Sequence, residues 1–182
     1  MRRLVKVSHQ ILALFVALVL GSQMAVAQEA ETSSYERQLD DAQLIDIVIA
    51  LNEMEVQISE LGAGKVKANE VQAYAQRMLE DHKKALASLQ RDDLTPQPNE
   101  VSQTLRDTNK GLADKLRQAP AEGFDQQFME TQISLHQSAL NLLDYTVIPL
   151  LQDNQQREQF IELRATVDQH LRDAWKIYRG LN

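Results

Sequence analysis

An all-α fold, with four amphipathic helices paired by short turns and a long, partly helical connection between the second and third, is what this sequence predicts. Two observations carry the prediction. Apolar residues recur at steps of three and four through four segments lying between Asp41 and Arg179, the spacing of one helix face. No segment sustains the period-two alternation, rich in β-branched residues and bounded by turns, that a strand needs.

The elements follow in order. Residues 1–27 read as a secretory signal peptide. Arg2, Arg3 and Lys6 form its basic start, Ile11 to Leu20 its uncharged apolar run, and Ala25-Val26-Ala27 the small-x-small cleavage pattern, with Gln28 as the mature N-terminus. Ten apolar residues are too few to cross about 30 Å of hydrocarbon as a helix, so no transmembrane anchor is expected after cleavage. The Leu/Val-rich run points to general secretion rather than to the twin-arginine route that Arg2-Arg3 alone would suggest. Residues 28–40 are polar and aperiodic, the composition of a flexible lead-in.

The first helix is expected over Asp41–Leu61, with Leu44, Val48, Leu51, Glu55 and Ile58 on one face and Gly62-Ala63-Gly64 as its stop. The second begins at Asn69, read as a cap partnered by Gln72, and turns Val71, Ala75, Met78, His82, Leu86 and Leu89 inward. Pro96 and Pro98 break the connection between Asp92 and Gly123. Asn99 caps a short amphipathic helix in it that carries Val101, Leu105, Leu112 and Leu116. The third helix runs from Phe124 to Ile148, where Pro149 ends or kinks it, with Met129, Ile133, His136, Leu140, Leu143 and Val147 on one face. The fourth spans Gln155–Arg179, turns Phe160, Leu163, Val167, His170, Ala174 and Ile177 inward, and stops at Gly180. A four-helix domain over residues 41–180 with a crossover connection results.

Composition narrows the function. The chain has 182 residues, no cysteine and a net charge of −7. Loss of Arg2, Arg3 and Lys6 with the signal takes the charge to −10. Disulfides, thiolate chemistry and a lipid-modified N-terminus are therefore excluded. An acidic chain without a Lys/Arg block is not expected to bind nucleic acid. A periplasmic or cell-envelope location follows from the signal, with an envelope partner or a second copy of the chain as its binding partner.

The chemistry-bearing residues are few. Of the four histidines, His9 lies in the signal, whereas His82, His136 and His170 sit on the apolar stripes of three different helices, and Glu55 sits on that of the first. A buried imidazole or carboxylate without partners costs several kcal/mol, so such groups pair, neutralise or bind metal. Three neutral imidazoles and a carboxylate form a plausible ligand set for one transition-metal ion, Zn, Fe, Mn or Cu. The plainer alternative is that the histidines bond to neighbours such as Glu55, Asp81, Thr166 or Asp168 and hold helix register. The chain then serves as a structural or interaction module. Both readings stand on the same residues.

Level along the bundle separates possible ligand sets. If both hairpin turns share one end, the three histidines are level. If the connection runs the full length, Glu55 joins His136 and His170, and His82 falls about 10 Å away at 1.5 Å per residue. A ferritin-type di-iron centre is not expected. That chemistry uses Glu-x-x-His on two helices, and the residues three before these histidines are Leu79, Ile133 and Val167. Met54, Met78 and Met129 suit copper as donors but are more ordinarily core filling, and Trp175 and Tyr178 are read as packing at the bundle end. No serine has the base and orienter of a nucleophilic triad, so no enzymatic activity is assigned.

The same residues resemble an uncharacterised ferritin-like family of exported bacterial proteins, labelled outer-membrane or periplasmic proteins and grouped as a domain of unknown function. The likeness covers residues 41–178. It rests on Asp41-Ala42-Gln43-Leu44, Glu55-Val56, Glu70-Val71, Tyr74-Ala75, Met78, Asp81-His82, Gly123-Phe124-Asp125, His136, and His170-Leu171 with Ala174. The resemblance implies a ferritin-like four-helix fold and export, and adds Asp81 and Asp125 to Glu55, His82, His136 and His170 as positions of interest. It implies no activity. The chain departs from the family at Thr166-Val167, where such proteins tend to carry Leu-Pro before the last histidine.

Overall fold

The computed structural model describes residues 39–89 and 95–181. The expected signal peptide and nearly all of the expected flexible lead-in lie outside the described residues. Every regular element among the described residues is helical: α1 Asp41–Lys65, α2 Asn69–Leu89, α3 Glu100–Gln118, α4 Phe124–Leu142 and α5 Asn154–Gly180. No helix among them is long and apolar enough to cross a membrane.

The start of α1 is set by Asp40. Its carboxylate accepts the Gln43 amide at 2.9 Å, and the Gln43 side chain returns the bond to the Asp40 amide at 3.2 Å. Glycine does not end this helix at Leu61, as its sequence suggests. The helix continues to Lys65, with the Val66 amide bonded to Gly62 O at 3.0 Å. Gly62 instead permits a close approach: a Cβ there would lie 2.3 Å from Cε2 of the buried Phe128 ring of α4.

The burial of α1 is wider than one stripe. All eight residues from Leu44 to Leu51 are buried, because α2 and α4 pack on one side and α3, the helix of the long connection, covers the other. Leu105, Ala113 and Leu116 of α3 supply the apolar contact. The pair is pinned along its length. Asn99 Nδ2 donates to Gln43 O at 2.9 Å, Arg106 grips Asp46 with two 2.9 Å bonds, and Lys65 Nζ donates to the carbonyls of Leu116, Arg117 and Ala119 within 3.0 Å. These bonds make α3 run parallel to α1.

Expected caps were not all realised. Asn69 opens α2, but the amides just before it, Lys67 N and Ala68 N, donate to the Asp125 carboxylate at 2.9 and 2.7 Å. Asp125 thus joins the start of α4 to the start of α2. Gly123, at φ +71°, supplies the left-handed turn that lets α4 begin there. At the other end α4 passes into a π-helical segment, Leu143–Val147, and one last turn, Ile148–Leu150. Pro149 has no amide to donate and its ring crowds the carbonyl one turn back. The widened turn, with Ile148 N bonded to Leu143 O, accommodates it. Asp41 then accepts the amides of Gln152 and Asp153 at 2.8 and 3.0 Å, and Asp153 caps α5.

The two hairpin turns consequently lie at opposite ends. The α1–α2 turn meets the start of α4, whereas the α4–α5 turn meets the start of α1. Helix α5 packs on α4 and on α2, and is continuous through Thr166-Val167.

Candidate metal centre

The centre forms where the helices are near mid-length. His82 and His136 come 13 and 12 residues after the starts of α2 and α4, and Glu55 and His170 each 10 residues before the ends of α1 and α5. All four ends lie together: Asp125 bonds to Lys67 and Ala68, and Tyr178 Oη donates to Glu130 at 2.8 Å. The four residues are therefore about 15–20 Å from one common end at 1.5 Å per residue. The expectation that turns at opposite ends would push His82 about 10 Å away is corrected. It took α1 to end at Leu61. The extra turn to Lys65 moves Glu55 inward, and a site near mid-helix stays level whichever way a helix runs.

The three imidazoles form a compact triangle. Ring centroids are 5.8 Å apart for His82 and His136, 5.6 Å for His82 and His170, and 5.5 Å for His136 and His170, all edge to face. One ring nitrogen from each lies within 4.8 Å of the other two, and all three residues are buried.

Each ring has one nitrogen anchored outward. His82 Nδ1 lies 2.9 Å from Asn52 Oδ1, and Asn52 Nδ2 donates to Val48 O at 2.8 Å. That second bond fixes the amide orientation, so His82 Nδ1 carries the proton and donates. His136 Nδ1 donates to Gln132 O at 2.9 Å, with Glu55 Oε1 also 3.3 Å away. His170 Nε2 donates to Asp81 Oδ2 at 3.1 Å. A carbonyl and a carboxylate only accept, which sets both tautomers. The remaining nitrogens, His82 Nε2, His136 Nε2 and His170 Nδ1, are buried lone pairs without a protein hydrogen-bond partner.

Electrostatics agree with this assignment. Burial, then the repulsion that a proton on His136 or His170 would exert, holds the His82 imidazole well below its ordinary 6.5. Burial and His136 lower His170 to about 4 against the opposing pull of Asp81. Both rings are neutral near pH 7, the form that can donate a lone pair to a metal. Glu55 is pushed upward by burial, an effect that the His136 charge and the 3.0 Å bond from Gln132 Nε2 reduce.

The proposed ligand positions take different places. Glu55 and Asp81 stand behind His136 and His170 and orient them. Asp125 is 11 residues before His136 on α4, about 16 Å along the axis, and caps α2. Thr166 bonds to Glu162 O and Asp168 pairs with Arg172, so neither holds a histidine. Leu79, Ile133 and Val167 bring hydrocarbon, not carboxylate, one turn before each histidine. Three residues that bond to the cluster are not expected from sequence: Asn52, Gln132 and Tyr74, whose hydroxyl donates to His170 O at 3.3 Å. Asn52 and Gln132 each lie one turn before a site residue, Glu55 and His136. A polar residue on the same stripe was the available signal.

The family model for a domain of unknown function, DUF4142, matches residues 23–177. The chain belongs to this family. No curated protein and no solved structure matches it. Membership leaves the activity open, so the chemistry rests on the three histidines.

Proposed function

We propose that this DUF4142 protein is an exported envelope protein that binds one transition-metal ion through His82 Nε2, His136 Nε2 and His170 Nδ1, for metal buffering or stress protection. The ring of contacts α1–α2–α5–α4 supports a ferritin-like four-helix bundle as its scaffold, with α3 laid along the outside. The basic, apolar and small-residue sequence of residues 1–27 supports export to the periplasm.

One observation carries the metal reading. Three buried imidazoles from three helices converge, with one ring nitrogen of each within 4.8 Å of the others, and each ring keeps one buried nitrogen without a partner while its other nitrogen is tied to an acceptor. Packing alone gives no reason for this. Each orphaned buried acceptor costs about 1–3 kcal/mol, and histidines serving only register would be relieved by leucine. Zinc–nitrogen bonds of about 2.0–2.1 Å require donors about 3.4 Å apart in a tetrahedron, so the rings need draw together by little more than an ångström. Asp81 behind His170 and Glu55 behind His136 form the carboxylate–histidine pairs that commonly orient metal-ligating imidazoles.

The test is elemental analysis and calorimetric titration of the purified chain with Zn, Cu, Mn and Fe. About one ion per chain is expected, lost in His136→Ala and His170→Ala. Stoichiometry near zero for all four metals would leave a packing or interaction module, a reading supported by the local bond that each imidazole already makes.

A further inference from the structure

The metal reading leaves a coordination position to fill, and the structure holds space of a particular size beside it. A cavity of about 20 Å³ is lined by two of the three histidines, His82 and His136, together with Val48, Leu51, Leu143 and Leu163. A water needs about 10–15 Å³, so the space has room for a ligand of one or two heavy atoms.

The protein's own donors are turned elsewhere. Glu55 also lines the space, but its Oε2 accepts the Gln132 amide at 3.0 Å and its Oε1 lies 3.3 Å from His136 Nδ1, while Asp81 holds the outward nitrogen of His170 at 3.1 Å. Met54 also lines the cavity, but a thioether is a donor for Cu(I) and a poor one for Zn(II) or Co(II). Three protein ligands with an open fourth position distinguish a reactive or ligand-exchanging centre from a closed structural one. The rest of the lining is mostly hydrocarbon. Its residue Leu143 begins the π-helical turn, a widened helix geometry that recurs at functional sites.

We infer that the centre is a receptor for a small exogenous ligand: the bound ion keeps its fourth position for water, hydroxide or a diatomic, and the narrow apolar space beside it favours these over larger ligands. This inference rests on the metal reading. Size selection comes from packing, since Leu51 is buried and Leu163 half-buried against the chamber.

The experiment uses the full chain loaded with Co(II), whose visible bands report coordination directly. Cyanide, azide and imidazole are titrated in turn, and cobalt retention is checked afterwards by elemental analysis. Cyanide should shift the bands saturably, with azide at least tenfold weaker and imidazole without effect. Leu163→Ala should narrow the gap between cyanide and azide to less than threefold. Bands that appear at one cobalt per chain but ignore cyanide would overturn the open position while leaving the metal site intact. Azide or imidazole binding as tightly as cyanide would overturn the size limit. Absence of any cobalt bands would overturn the metal reading itself, and this inference with it.

Discussion

Replacing Asp81 with asparagine should weaken metal binding without removing a ligand. Asp81 accepts the proton-bearing Nε2 of His170 at 3.1 Å. Its negative charge makes the ring a better donor and keeps the lone pair on Nδ1, facing the other two histidines. Asparagine preserves the shape and can still accept through its carbonyl oxygen, but it loses the charge. Loss of such an orienting partner typically costs 10–100-fold in affinity. The Asp81 side chain is 34% exposed, so water restores part of the interaction, and the lower end applies: about tenfold, or about 1.4 kcal/mol. Competition against a chromophoric chelator at pH 7 measures this directly. Asp168→Asn is the matched control, because Asp168 pairs with Arg172 rather than with a ring. Affinity within twofold of wild type for Asp81→Asn, or an equal loss in the control, would refute the orienting role.

Three further outcomes are expected. In metal-free protein, acid should destabilise the fold. His170 titrates at about 4 when folded and at 6.5 ordinarily, so the unfolded chain takes up the proton first and stability falls as pH drops from 6.5 toward 4, by about 2 kcal/mol at pH 5. His82 acts in the same direction and the raised Glu55 in the opposite one. Urea midpoints that stay level or rise between pH 7.5 and 5 would contradict this. Gly62→Ala should cost about 1–3 kcal/mol through overpacking against Phe128, whereas Gly64→Ala, with open space around its new Cβ, should stabilise by about 0.4–1 kcal/mol; thermal melts of the pair decide it. Asp125→Ala should lose about 1–2 kcal/mol as α2 loses its cap, with metal stoichiometry unchanged in calorimetry, and a drop in stoichiometry would restore Asp125 to the ligand set.

Helix existence and inner faces were legible because both depend on neighbours three and four positions away. The stripes of the second, third and fourth helices, the capping role of Asn99 and the placement of His82, His136 and His170 on inner faces all came from that short-range pattern. The buried surface of α1 is wider than the one stripe its periodicity predicts. Its second apolar side, Ile45 and Ile49 included, becomes meaningful only once α3 lies against it.

What the amino-acid order determined by itself was therefore local: helical segments, their caps and which side of each is apolar. Tertiary structure alone decided the rest. It placed the hairpin turns at opposite ends, extended α1 through Gly62 to meet Phe128, and turned Asp125 into a cap. It also brought three imidazoles to one level with Asn52, Gln132 and Asp81 behind them. The physical reason is range. A periodic pattern specifies rotation about one helix axis, whereas meeting across axes depends on contacts such as Asp41 with Gln152 and Asp125 with Lys67, 111 and 58 residues apart in the chain.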